Sequence, residues 1–377
     1  MNDPRSPLFP YMAWAHVEGL RSPHRLSQSG MPAPPADFLA GRAADTAADL
    51  EHPCAAAQPA WEARLAARLG VAPERVLATI GASAAMQQVA QALFRPGSRV
   101  VTERPSYEPF RALPPLAGAE LRVVDRRPED GWALDVERVA AELAGCGPGA
   151  PGHVFVANPH NPTGACLGAD ELRALAAVAR RAGGVLVSNE TYMEYLPEER
   201  RVHACALEPD AVTIGTLTKA YGLGALRAGW IALGSGLADL RPRLQDACYL
   251  GYVDPPTAAL RLALDAVEHL PRLHAIYREL RAASRPLLAA WLEDTPEVEG
   301  RAPEHGVIAF PRVVGVDDTA ALARHLADRH GVDVVPGEYF GRPGHLRVGF
   351  GLPPAALVPA LESLAAGIRS FRGADPA

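Results

Sequence analysis

The chain has 377 residues, 48% of them hydrophobic, which is apolar mass enough for more than one core and makes two domains the natural expectation. Its formal net charge is −6, with 37 Lys and Arg interspersed among 43 Asp and Glu, so no basic face is expected to hold nucleic acid. No apolar run approaches the ~20 residues that cross a bilayer, and the five cysteines (Cys54, Cys146, Cys166, Cys205, Cys248) are odd in number and lack a Cys-x-x-Cys pair, against a disulfide framework or zinc site.

The first residues, with Asp3 and Arg5, carry no apolar stretch behind them, and a cytoplasmic protein with free thiols and no metal is expected. Residues 1 to 44 are rich in proline and read as an arm with little regular structure, lying on another part of the chain. From Trp61 to Leu69 apolar residues recur at helical spacing, then Val76 to Thr79 reads as a short strand. The turn Gly81-Ala82-Ser83 follows, and a helix of small residues over Ala84 to Phe94. The same alternation continues: strand Arg99 to Val101, helix Tyr107 to Leu116, strand Glu120 to Val124, helix Asp135 to Ala144. Strand His153 to Ala157, helix Ala169 to Arg181 and strands Val185 to Ser188 and Ala211 to Gly215 come next. Such alternation predicts a mostly parallel sheet with helices on both faces and ligand sites at the carboxyl ends of its strands. A long helical stretch with few breaks, Thr257 to Leu292, leads to a smaller α+β part. That part holds Val307 to Phe310, Ala320 to Arg329 and a strand around Arg347.

Lys219 is the only lysine: of the 37 Lys and Arg, the other 36 are arginine. A guanidinium replaces an ammonium as a surface cation but stays protonated, whereas a primary amine can form an imine with an aldehyde. The surroundings point the same way. Lys219 ends the hydroxyl-rich Thr216-Leu217-Thr218-Lys219, and Arg227 follows eight residues later, ahead of Gly229-Trp230.

This stretch resembles the lysine region of the class I/II aminotransferases, pyridoxal-phosphate (PLP) enzymes of fold type I. Three further segments are similar to that family's and stand in its order: Asn158-Pro159-His160-Asn161-Pro162-Thr163-Gly164, Asn189-Glu190-Thr191-Tyr192, and Arg347 in His345-Leu346-Arg347-Val348. The resemblance spans roughly residues 25 to 365. It implies an α/β fold with a large, mostly parallel seven-stranded sheet domain over residues 45–270. A small C-terminal domain over 271–377 and an arm over 1–44 packed on it would complete the chain. It also implies a homodimer.

By the resemblance, Lys219 would hold the PLP aldehyde as a Schiff base and, once released by the substrate amine, move a proton. Gly81, Ala82 and Ser83 open a helix whose free N–H groups suit the phosphate, with Thr216, Thr218 and Arg227 as its remaining contacts. Tyr107 matches the aromatic stacked on the ring, although a packed core tyrosine would read the same in sequence. Asn161 and Tyr192 match the pair on the ring's phenolic oxygen, with Asn161-Pro162 a candidate cis peptide. Arg347 matches the grip on the substrate α-carboxylate, and Gly30 the arm that closes over it, with Asn161 beside them.

Three departures stand out. The family's aspartate on the pyridine nitrogen is Asn189 here, which supplies no opposite charge and makes the ring a poorer electron sink. Glu190 beside it would point to the other face of a strand. The aromatic that reaches the neighbouring subunit's phosphate has no clear counterpart among Glu51, His52, Pro53 and Cys54, and Gln58 stands where a glycine is usual. The reading is an aminotransferase moving an amino group from an L-amino acid to a 2-oxo acid. The alternatives are a PLP lyase, cyclase or oxidase in which Asn189 redirects the chemistry, and a weakened PLP-binding relative.

Overall fold

In the computed structural model, residues 8–19, 21–35, 38 and 57–373 are described. Seven strands form one sheet in the order Val76–Thr79, Gly229–Leu233, Ala211–Thr216, Gly183–Asn189, Gly152–Ala157, Arg99–Arg104, Glu120–Asp125. All run parallel except Gly229–Leu233, which is antiparallel to both neighbours. The chain is α/β, as its alternation of apolar runs and amphipathic stretches predicts.

The central strands are buried on both faces, which is why they read as unbroken apolar runs. Along Gly152–Ala157 successive side chains go to opposite faces. Phe155 joins a core with Met86, Val89, Phe110 and Ile214, while Val154 and Val156 join Leu172, Leu175 and Leu186. A third core holds Trp61 against Trp230, their ring centroids 6.3 Å apart. A fourth gathers Leu26 with Leu288, Leu322, Val348, Phe350 and Leu361. No helix among the described residues is long and apolar enough to cross a membrane.

The structure departs from the sequence expectations in several places, among them the helix Pro354–Gly373 and the strand Arg99–Arg104, which outlasts its expected end at Val101. The arm is not devoid of regular structure: Pro10–Val17 is helical, and His24–Arg25 pairs in parallel with Val332–Asp333. Proline at the first helical position costs no hydrogen bond and presets φ. The free N–H groups of Tyr11 and Met12 reach the Glu108 carboxylate at 3.1 and 3.3 Å. The long helix breaks at His269, into Thr257–Glu268 and Leu270–Asp294, because Pro271 has no N–H to continue the ladder yet fits a first turn. The strand Gly229–Leu233 and the helix Arg241–Gly251 are additions to the elements read from sequence. The region around Ala82 is helical two residues sooner than expected, over Ala82–Leu93.

Candidate active site

The carboxyl ends of the parallel strands, with the start of the antiparallel one, bring the chemistry-bearing residues to one edge of the sheet. Ala82 and Ser83 follow the strand Val76–Thr79, Tyr107 follows Arg99–Arg104, and Asn161 follows Gly152–Ala157. Asn189 ends its strand, Thr216 to Lys219 leave theirs, and Arg227 precedes Gly229. A cavity of about 650 Å³ is lined by Ala82, Ser83, Tyr107, Asn161, Asn189, Thr216, Thr218, Lys219 and Arg227 together with Tyr192 and Arg347. Gly81 and Gly30 stand just behind that lining.

One end of the cavity is built from donors. The helix Ala82–Leu93 has Gly81 as its N-cap with no side chain to satisfy the first N–H groups, so these and the helix dipole face the cavity. Gly81 has φ +90, and a Cβ there would sit 2.5 Å from Arg227 Nη2, so glycine is what lets the guanidinium close on the turn. Arg227 donates to the Ile80 carbonyl at 3.3 Å, and the hydroxyls of Thr216 and Thr218 are paired at 2.8 Å. Backbone N–H groups, hydroxyls and an arginine with no carboxylate among them suit a phosphate dianion.

Lys219 lies beyond this end, its Nζ 3.0 Å from Ser29 Oγ. Burial, then Arg347 and Arg227, lower its pKa from 10.5 to about 8. Its backbone is pinned from two sides, because Met31 N and Tyr195 Oη both donate to the Lys219 carbonyl, at 2.8 and 3.0 Å. Gly30 packs directly behind it, where a Cβ would come within 3.4 Å of Lys219 Cα. The next turn is held by Tyr221 Oη donating to Glu194 at 2.5 Å. Burial opposes ionisation of Glu194, yet Arg68 and Arg201 hold its carboxyl below the usual carboxylate range.

Opposite the donor end sits Arg347, 1% exposed. It donates to the Ser27 carbonyl at 2.9 Å, to Tyr11 Oη at 3.0 Å and to Asn161 Oδ1 at 3.3 Å, and its Nε has no partner among the described residues. Because a guanidinium can only donate, Asn161 Oδ1 faces Arg347 and its Nδ2 is left for the cavity. The Asn161–Pro162 peptide is cis, as are Arg104–Pro105 and Asn158–Pro159. His160 ties that loop to its neighbours, with Nε2 2.8 Å from the Pro105 carbonyl and Nδ1 2.7 Å from Thr163 Oγ1. Tyr107 Oη lies 2.9 Å from Met12 Sδ, and the Tyr107 ring meets Tyr11 edge-on with centroids 5.7 Å apart. Burial raises the Tyr192 phenol, against a hydrogen bond with Ser29.

The residues read from sequence thus converge, and the chain adds Tyr11, Met12 and Trp14 of the arm helix, Ser29 and Met86, none of which a motif announces. Alternating aromatic and small residues in a proline-rich arm were the only signal for the first three. Gln58 is no part of the cavity lining and donates to Glu62 within its own helix at 2.9 Å. Residues 51–54, the stretch without a clear counterpart to the family's inter-subunit aromatic, lie outside the described residues. Glu190 faces away from the cavity as a strand dictates, accepting from Ala204 N and Thr213 Oγ1 at 2.9 and 3.0 Å and pairing with His203.

Residues 40–364 match the family described as Aminotransferase class I and II. The chain is 34% identical over 309 residues to capreomycidine synthase of Streptomyces vinaceus, covering 80% of this chain and 77% of that one. It is 31% identical over 299 residues to the arginine–pyruvate transaminase AruH of Pseudomonas aeruginosa, covering 78% and 74%. The crystal structure of the PLP-dependent cyclase OrfR superposes with a TM-score of 0.83 at 27% identity, covering 98% of this chain and 99% of that one.

Proposed function

Since the chain belongs to the class I and II aminotransferases, a PLP-dependent family, we propose that it transfers the amino group of an L-amino acid to a 2-oxo acid through Lys219. The observation that carries this reading is the position of the sole lysine. It is a buried amine with pKa lowered to about 8, between a donor-lined end that suits a phosphate and an arginine that suits a carboxylate. Bound PLP supplies the aldehyde and the electron-withdrawing ring.

The chain supplies the rest. Ala82 and Ser83 N–H groups, the Ser83, Thr216 and Thr218 hydroxyls and Arg227 hold the phosphate. Gly81 keeps their turn open to the guanidinium. Tyr107 would cover the ring, Asn161 Nδ2 and Tyr192 Oη would hold its phenolic oxygen, and Asn189 would meet its nitrogen. Arg347 takes the substrate carboxylate with Asn161 beside it, and Gly30 lets the arm close behind Lys219. Freed of the cofactor, the Lys219 amine is the base that carries the α-proton.

The arm helix lines the substrate end with Tyr11, Met12 and Trp14, and no Asp or Glu lines the cavity among the described residues. This favours donors with neutral, largely apolar side chains over cationic ones. A second reading, a PLP-dependent cyclase, draws support from Asn189 and from the likeness to capreomycidine synthase and OrfR. We also read the chain as a homodimer of soluble subunits. Tyr249, Leu250 and Val253, 54%, 82% and 59% exposed, cluster at the end of the helix Arg241–Gly251, more apolar surface than a monomer usually leaves bare.

The test is an absorbance spectrum of the protein with PLP, then with single amino acids, with Lys219→Ala as control. A visible band that needs Lys219 and gives way to the aminated cofactor with neutral amino acids is the expected result. A band that persists while a ring-closed or deaminated product accumulates would favour the cyclase reading, and no band at all would defeat both.

A further inference from the structure

Asn189 is the departure from the family pattern inside the cavity, and the chain itself sets the orientation of its amide. Oδ1 accepts the backbone N–H of Thr191 at 3.0 Å and the Thr191 hydroxyl at 2.6 Å. A backbone N–H can only donate, so the oxygen must be the atom facing Thr191, and both its lone pairs are taken. Nδ2 therefore points the other way, toward Met86 Sδ at 3.0 Å, and Met86 lines the cavity beside it. A thioether is a weak acceptor that engages one of the two amide protons at most. The other has no acceptor among the described residues, although Asn189 is 5% exposed. A ligand that displaces water from this donor must bring an acceptor of its own.

The surroundings reinforce that demand. The carboxylate nearest in sequence, Glu190, is committed on the opposite face to Ala204, Thr213 and His203. The groups of fixed charge that line the cavity, Arg227 and Arg347, are both cations, and no Asp or Glu lines it among the described residues. A protonated ring nitrogen at Asn189 would set N–H against N–H, with no anion to offset it.

We propose that Asn189 Nδ2 donates to the pyridine nitrogen of bound PLP and keeps that nitrogen unprotonated, reversing the polarity of the contact an aspartate would make. The inference rests on the PLP site proposed above. Asn189→Asp would keep Oδ1 on Thr191 and turn its second oxygen toward the cavity, an acceptor that requires a protonated nitrogen. Asn189 is thus a residue that sets the electronic state of the cofactor, because an unprotonated ring withdraws electrons less strongly from the reacting carbon.

The test loads the protein with PLP labelled with ¹⁵N in the ring and records the nitrogen resonance near neutral pH. The expected result is a resonance at the neutral-pyridine position in the native protein, moved upfield to the pyridinium position in Asn189→Asp. A pyridinium resonance in the native protein overturns the inference while the PLP reading stands, provided the visible Lys219-dependent band is present in the same sample. Absence of that band sinks the PLP reading and the inference together. If Asn189→Asp fails to fold, the native resonance alone decides.

Discussion

Lys219 shares one cavity with Arg227 and Arg347, and both arginines act on its amine. Burial and the two arginines favour the free amine at Lys219, and the free amine is the form that attacks an aldehyde. The rate at which added PLP attaches to the cofactor-free protein should therefore climb through pH about 8 and level off above it, where an ordinary lysine would keep climbing toward 10.5. Stopped-flow absorbance across that range checks this, and a midpoint near 10 would contradict it. Arg347 has a planar fork with Ser27, Tyr11 and Asn161 as supports, so lysine is no conservative substitute there. Arg347→Lys should lower kcat/KM by roughly 30-fold or more, the equivalent of about 2 kcal/mol or more for a lost buried charge contact. Steady-state kinetics with the best donor measures it, and an unchanged value would remove Arg347 from substrate binding. The motif residues of this site were legible because each motif is local in sequence. Ser29 and Met86 were not, since they reach Lys219 and Asn189 from 190 and 103 residues away and nothing in a single sequence records the pairing.

The elements show a similar division. Strands buried on both faces write themselves as apolar runs ended by glycine or polar turns, and the helix Ala169–Arg181 coincides with its sequence expectation. The arm helix Pro10–Val17 escaped because it is short and apolar nearly all round, without the polar face that gives a helix its period. Its start is completed from outside: Glu108, at the first turn of another helix, accepts the two N–H groups that Pro10–Val17 cannot satisfy itself. Burial raises the Glu108 carboxyl, and the bonds from Tyr11 and Met12 work against that rise. Glu108→Ala should cost the closed arm about 1–2 kcal/mol, roughly a 5- to 30-fold shift toward release. Amide hydrogen exchange at Tyr11 and Met12 should accelerate accordingly while exchange in the central sheet stays put. Equal protection in both proteins would show that the aromatic contacts of Tyr11 suffice.

At the scale of the molecule, the sheet, the cofactor-type cavity and the arm assemble parts that lie far apart in the chain. Gly222, with φ +66, lets the Lys219 loop pass against the arm, since a Cβ there would come 2.0 Å from the Pro32 carbonyl. The apolar patch at Tyr249, Leu250 and Val253 belongs to this scale as well. Leu250→Glu, at an 82% exposed position, should leave the thermal midpoint of an isolated subunit nearly unchanged and weaken the proposed dimer. Light scattering coupled to gel filtration at falling protein concentration reads the difference. A native protein that elutes as a monomer throughout would dismiss the dimer.

The single lysine has a further consequence for how such a protein is counted. With one side-chain amine in the whole sequence, set inside the cavity, borohydride fixation of the cofactor can add its mass to a chain at one side-chain position. An intact-mass spectrum then divides the population into shifted and unshifted peaks, and their ratio is the occupancy, with no surface lysine to blur it.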